Sequence, residues 1–400
     1  MADKSAIEWT DATWNPITGC SIVSPGCIHC YAMKLAGTRL KHIDSRMGLT
    51  RETAIGPVWT GEVRLNERWL HQPIQWKQPR RIFVCAHGDL FAENVPDAWI
   101  DKVFAIMALS PQHTFQVLTK RARRMREYLT GKHRNPQGWP AEDYDAQTCI
   151  RLSLGGLLPG KTLPNGRPDI GDFFKSGKAA HYSEADKRLF FDWPLKNVWL
   201  GVSAERQQEA DQRIPELLAT PAAVRFVSAE PLLGPIDFEN IARQPNAYDQ
   251  QMPGLATVKR FYVDALTGCE GLTYATPGRG GDMSVETNSG PALDWIIVGG
   301  ESGRDARPMH PSWARSIRDS CHSADVAFFF KQWGEWRPST PEAADGNPRS
   351  GWRCLAAHPH VPRAHELYPE AGAEFIEHLG KKAAGRLLDG VEHNAMPEPC

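Results

Sequence analysis

Asn197–Ser228 reads NVWLGVSAERQQEADQRIPELLATPAAVRFVS. Its first seven residues form an apolar run suited to a buried strand, and Arg206–Ala219 then follows a helical pattern. Val224–Ser228 returns to a short β-branched run. Strand, helix and strand in that order are the signature of a βαβ unit, whose two strands pair in parallel.

The same alternation extends in both directions. Further strands are predicted at Gly61–Asn66, Arg81–Ala86, Thr114–Thr119, Asp294–Gly299 and Val326–Lys331. Helices are predicted at Pro96–Leu109, Arg121–Leu129 and Pro311–Ala324. Seven strands with crossover helices predict an α/β fold, a full or partial (βα) barrel; a doubly wound open sheet has the same alternation. Residues 1–335 are assigned to the barrel, with insertions at 130–195 and 239–293. Both are rich in Gly, Pro and charge, as in HRNPQGWP and TPGRGGDMSVETNSG, and read as long loops. Residues 336–400 form a Pro-rich extension with one helical stretch around Ala373–Leu388.

Composition narrows the function classes. The 400 residues are 41% hydrophobic and 23% charged with net charge -1, so any polyanion site must be a local patch. The first residues, MADKSAIEWTDATWNP, carry charge and no apolar run, so no secretion signal is expected. No apolar run is long enough to span a membrane. A cytoplasmic protein without membrane partners is the expectation. Nine cysteines, six of them isolated, argue against a disulfide framework and towards a metal or redox role for the clustered three.

Those three lie in Gly19-Cys-Ser-Ile-Val-Ser-Pro-Gly-Cys-Ile-His-Cys-Tyr-Ala32 as Cys20, Cys27 and Cys30. Gly19 and Pro25-Gly26 allow the turns by which three sulfurs converge. A cubane iron–sulfur cluster with only three protein ligands leaves one iron open to a substrate or cofactor. Zinc normally takes four ligands in two pairs, and the chain has no second CxxC. Cluster, zinc and buried unligated cysteines all remain readings of the loop alone.

Polar residues follow the strands: Asp89, Thr119 and Lys120, Ser203 and Glu205, Glu230, Glu301 and Ser302, Lys331 and Gln332. The C-terminal strand ends form the active face of βα folds, so these residues predict a functional rim. Lys120, Glu230 and Glu301 are its candidate catalytic groups. Gly299-Gly300-Glu301-Ser302-Gly303 is a glycine-rich turn whose N–H groups can approach a phosphate or carboxylate, with Gly300 as the candidate contact.

The loop C-x-x-C-Tyr-Ala followed by a helix resembles the cluster loop of the radical S-adenosylmethionine superfamily, although six residues rather than the usual three separate its first two cysteines. RIFVCAHGDLFAENVP, FQVLTKRARRM and NVWLGVSAE are similar in order to the spore photoproduct lyase-like branch. WTDATWNPITGC, SPGCIHCYA, RFVSAEPLLGPI, DWIIVGGESG and FFFKQWGEW resemble a phage-associated family named for its three-cysteine motif. The resemblance implies a [4Fe-4S] cluster on Cys20, Cys27 and Cys30, S-adenosyl-L-methionine at the open iron, and an electron donor. It also implies Asp89, Tyr31, Ser203, Glu205 and Gly300 as cofactor contacts, with Asp89 holding the amino group and His29 or Tyr31 packing on the adenine. Asp89 equally suits a helix cap. The substrate implied is a nucleic acid or nucleotide; an accessory nucleic-acid-binding protein with a structural metal is the rival.

Lys120-Arg121-Ala122-Arg123-Arg124-Met125-Arg126 reads either as a phosphate grip or as a solvated helix face. Trp69, Trp76, Trp333 and Trp336 sit beside charge and suit base stacking or core packing. Cys85 and Cys321 read as buried packing.

Overall fold

A computed structural model describes residues 5–131, 145–157, 182–183, 188–189, 192–245, 249, 258–275, 282–340, 351–357 and 367–398. Seven parallel strands form its central sheet: β1 (Ala12–Trp14), β2 (Arg81–Val84), β3 (Thr114–Thr119), β4 (Val198–Ser203), β5 (Val224–Ala229), β6 (Trp295–Gly299) and β7 (Ala327–Gln332). They pair in chain order, and the sheet curls into a half-barrel flanked by helices. The open alternative is therefore set aside in favour of the partial barrel.

Helices α1 (Tyr31–Gly37), α2 (Asp97–Ala108), α3 (Ala122–Thr130), α4 (Gln207–Leu218) and α5 (Pro311–Ser323) lie in five of the six crossovers, all but that between β5 and β6. α2 shows why they form: Ile100, Val103, Phe104 and Met107 recur at helical spacing and are buried against the strands. Among the described residues no helix is long and apolar enough to cross a membrane.

Two-residue alternation along the strands divides the interior into two cores. Val198, Leu200 and Val202 join the outer core against the helices, while Trp199 faces the concave side. Phe226, Trp295, Ile297 and Phe329 repeat the inward pattern. Trp295 meets Trp199 at 5.9 Å, Phe226 at 5.6 Å, Phe329 at 6.1 Å and Trp9 at 6.1 Å. This aromatic plug fills the half-barrel beneath its strand ends. Gly201 makes room for it, since a Cβ there would stand 2.5 Å from the Phe226 ring.

The free edge of β7 is covered by the end of the chain. Phe330 N donates to His393 O at 2.9 Å, Phe329 bridges Asn394, and Trp295 Nε1 donates to Ala395 O at 2.9 Å.

Several sequence expectations are corrected. Gly61–Asn66 contributes only Arg64–Leu65, which pairs antiparallel with Ile17–Thr18 outside the main sheet. The first barrel strand is instead Ala12–Trp14. The second insertion contains a four-stranded antiparallel sheet of Ile241–Ala242, Val258–Val263, Cys269–Ala275 and Asp282–Ser289. Around 373–388 the structure has a strand, Glu374–His378, between Trp336–Ser339 and Trp352–Leu355, and only a four-residue helix, Lys381–Ala384. The Gly- and Pro-rich stretches 133–140, 158–171 and 276–281 lie outside the described residues.

Candidate active site

The inward alternation that builds the plug continues upward with polar residues. Ser203, Ser228 and Lys331 follow Gly201, Phe226 and Phe329 by two, and all three line a cavity of about 480 Å³ over the strand ends. Cys20, Cys27 and Cys30 line the same cavity, together with Tyr31 and Cys85.

Local geometry places the loop. Gly19 has φ +98°, and a Cβ there would come 2.1 Å from Glu62 O, so only glycine lets the chain pass. Pro25–Cys27 makes a 3₁₀ turn, and Cys30 begins α1. Cys20 and Cys30 pack against Ala32, Met33, Ala36, Leu49 and Trp59, which keeps one side of the sulfurs dry.

Three ionic groups from distant strand ends then grip the loop. Arg121 donates to Ser21 O at 3.0 Å and to Cys20 Sγ at 3.3 Å, while its guanidinium is held by Asp89 at 3.2 Å and Glu93 at 3.0 Å. Glu205, fully buried, accepts from Ser24 Oγ at 2.7 Å, Lys120 Nζ at 3.1 Å and Arg213 Nη1 at 2.9 Å. Arg307 donates to Pro25 O at 3.0 Å and to Glu301, which also pairs with His29 Nδ1 at 3.1 Å. Burial works against ionisation of Glu205 and Glu301. Lys120 and Arg213 outweigh it at Glu205, and Arg307 and His29 at Glu301, so both carboxyls are held below their usual range.

Three cysteines on one cavity supply the donor type that iron–sulfur clusters take. Burial, Asp89 and the neighbouring thiols push Cys20 up to about 12, and burial with Cys27 raises Cys30. Binding a metal would release the protons of such thiols. Among the described residues no group of three or more His, Cys, Asp or Glu side chains is placed to hold a metal ion, while the three thiols all line the cavity.

Of the predicted site residues, Tyr31, Asp89, Lys120, Ser203, Glu230, Gly300 and Glu301 all line the cavity, and Glu205 does not. Glu230 pairs with Lys331 at 2.8 Å and accepts from Ser228 Oγ at 3.0 Å. Tyr31 donates its hydroxyl to Ala86 O at 2.6 Å and leaves its ring half-exposed at the mouth. Asp89, Glu205, Glu301 and Gly300 are each engaged by partners within the protein. Asp89 accepts Phe91 N, Thr119 Oγ1, Lys120 N and Arg121 Nη1, so its four lone-pair positions are occupied. It caps the turn at Phe91 and clamps Arg121. Glu205 and Glu301 are likewise consumed by their partners, and Lys120 is tied to Glu205. Gly300 spends its N–H on Gln332 O at 2.9 Å, and a Cβ there would meet Trp333 O at 2.0 Å, so close strand packing explains the glycine.

Every cation of the basic segment has a carboxylate partner. Lys120, Arg121, Arg123, Arg124 and Arg126 pair with Glu205, Asp89, Glu127, Asp97 and Glu216 respectively. Trp333 and Trp336 are core residues; Trp69 and Trp76 carry Arg68 and Arg80 on their faces at 4.8 Å. Sequence reasoning missed Arg213 and Arg307 altogether. Arg307 had one signal, its place in the glycine-rich turn's continuation ESGRDAR.

Comparison with known proteins places the chain in one family. It belongs to the family described as a protein of unknown function, DUF5131, whose model matches residues 4–397. No curated protein and no solved structure matches it.

Proposed function

We propose that this DUF5131 member is a radical enzyme that holds a [4Fe-4S] cluster on Cys20, Cys27 and Cys30 and binds S-adenosylmethionine at the open iron. The observation that carries the reading is the placement of the three-cysteine loop. It forms one wall of a cavity at the C-terminal strand ends of a parallel half-barrel, where βα enzymes keep their active sites. The substrate we propose, from the resemblance of the motifs, is a nucleotide or nucleic acid.

When bound, the cluster and cofactor would supply reductive cleavage of the cofactor and hydrogen abstraction from a substrate. The chain's own residues bind and orient. The thiols ligate, and the apolar cluster of Met33, Leu49 and Trp59 excludes water behind them. In the same cavity, Lys331 can donate to an anionic group, and Ser203 and Glu230 can receive or share a proton with a hydroxyl or amine. A nucleic-acid substrate would meet the exposed Ile22, Val23, Ile28 and Tyr31 at the loop.

Anaerobic purification tests this directly. The wild-type chain is expected to be brown with about four irons, and to release 5′-deoxyadenosine when given S-adenosylmethionine and dithionite. Cys27→Ala should lose the iron while Cys149→Ala keeps it. A colourless protein with one zinc would refute the proposal and favour a structural metal.

A further inference from the structure

Of the three grips on the cysteine loop, one brings a cation to a sulfur. Arg121 Nη1 lies 3.3 Å from Cys20 Sγ, and Arg121 is 7% exposed. We propose that Arg121 is a positioning residue that raises the reduction potential of the group ligated by Cys20, opposed by the buried carboxylate of Asp89 behind it; this rests on the cluster reading above.

The geometry gives Arg121 no freedom to swing away. Its Nε donates to Glu93 Oε1 at 3.0 Å, Nη1 is shared between Cys20 Sγ and Asp89 Oδ2, and Nη2 is shared between Ser21 and Glu93 Oε2. All five guanidinium hydrogens therefore have acceptors. The backbone is pinned as well, since Arg121 N donates to Thr119 Oγ1 at 2.9 Å at the start of α3. Asp89 is fixed by its own four donors and is 4% exposed.

Reduction adds one negative charge to a cluster. A cation hydrogen-bonded to a ligand sulfur stabilises that charge, and a buried carboxylate destabilises it, so the two side chains pull the potential in opposite directions. The cation makes the direct contact, and the carboxylate acts from one hydrogen bond further away. A structural clamp would behave differently, because breaking it from either side loosens the same loop.

The full chain, reconstituted anaerobically with iron and sulfide, is titrated by electron paramagnetic resonance in four forms: wild type, Arg121→Gln, Arg121→Lys and Asp89→Asn. Arg121→Gln is expected to shift the one-electron equilibrium about tenfold towards the oxidised form, about 59 mV more negative. Arg121→Lys should fall between it and wild type. Asp89→Asn should move the potential the opposite way. If Arg121→Gln loads no iron, the other two variants carry the comparison. Shifts of the same sign in Arg121→Lys and Asp89→Asn, or shifts below twofold in both, overturn the proposal. A wild-type chain that takes up no cluster at all would instead overturn the reading on which it rests.

Discussion

Gly26→Ala probes the site with a single methyl group. A Cβ at this position would lie 2.2 Å from Glu205 Oε1, 2.6 Å from its Cγ and 2.7 Å from its Cδ. A free carboxylate would rotate aside, but Glu205 is fully buried and bonded to Ser24, Lys120 and Arg213. Forcing the methyl in therefore costs about 1–3 kcal/mol of overpacking. Losing the Ser24 hydrogen bond adds about 1 kcal/mol. We expect a total of about 2–4 kcal/mol, read as a lower urea midpoint for the metal-free chain, with weaker iron loading of the reconstituted one. Gly290→Ala is the control, because its nearest neighbour atom would be 3.8 Å away. Shortening the carboxylate should make room, so Glu205→Asp is expected to cost less in the Gly26→Ala background than alone, by about 1 kcal/mol of coupling. A Gly26→Ala protein as stable and as iron-rich as Gly290→Ala would refute the packing of Glu205 against the loop.

Stability should fall between pH 6.5 and pH 4 through His87, which burial and the nearby Arg46 depress to about 4. The unfolded chain takes up a proton over this range while the folded one does not, so about 3 kcal/mol is lost with falling pH, and His87→Asn should flatten that part of the urea-midpoint profile. Glu205 and Glu301, held below their usual range, keep their contribution above the ordinary carboxyl pKa and lose it at still lower pH; Glu205→Gln should reduce this acid limb. Trp295→Ala empties the centre of the aromatic plug and should cost about 3–5 kcal/mol in chemical denaturation, without touching the loop. Glu230→Gln should leave iron content unchanged while lowering 5′-deoxyadenosine formation; unchanged turnover would remove Glu230 from the working surface.

Much of the barrel was legible because crossover helices and buried strands have different periods. Six of the seven sheet strands follow from apolar runs such as NVWLGVS and DWIIVGG. β1 did not, since Ala12–Trp14 is too short to show a period, and its pairing with Ile82, Phe83 and Val84 is entirely non-local. GEVRLN carries strand-like alternation, but alternation does not specify which partner a strand finds. In AEFIEHLGKKAAG the helix-forming Glu, Ala and Lys residues are overridden by pairing on both sides of Glu374–His378. The inserted sheet had a readable signal in VKRFYV and in the turn at Gly268, φ +78°, which loop composition obscured. At the site, the cysteines and the strand-end rim could be read, but the engagement of the rim could not. Whether Asp89 or Glu301 faces a ligand or an arginine depends on Arg121 and Arg307, and only the folded chain brings those side chains to the loop.

The covering of β7 by residues 393–396 bears on how the molecule is made. A ribosome that has just added Gln332 must still add 64 residues to reach Met396, roughly 3–13 s at ordinary elongation rates. Through that interval the outer edge of β7 has no His393 carbonyl to accept from Phe330, and the indole of Trp295 has no Ala395 carbonyl. All the residues that grip the cysteine loop have already been made. A nascent barrel can thus assemble its thiol wall while one flank still offers unpaired backbone to any neighbouring strand.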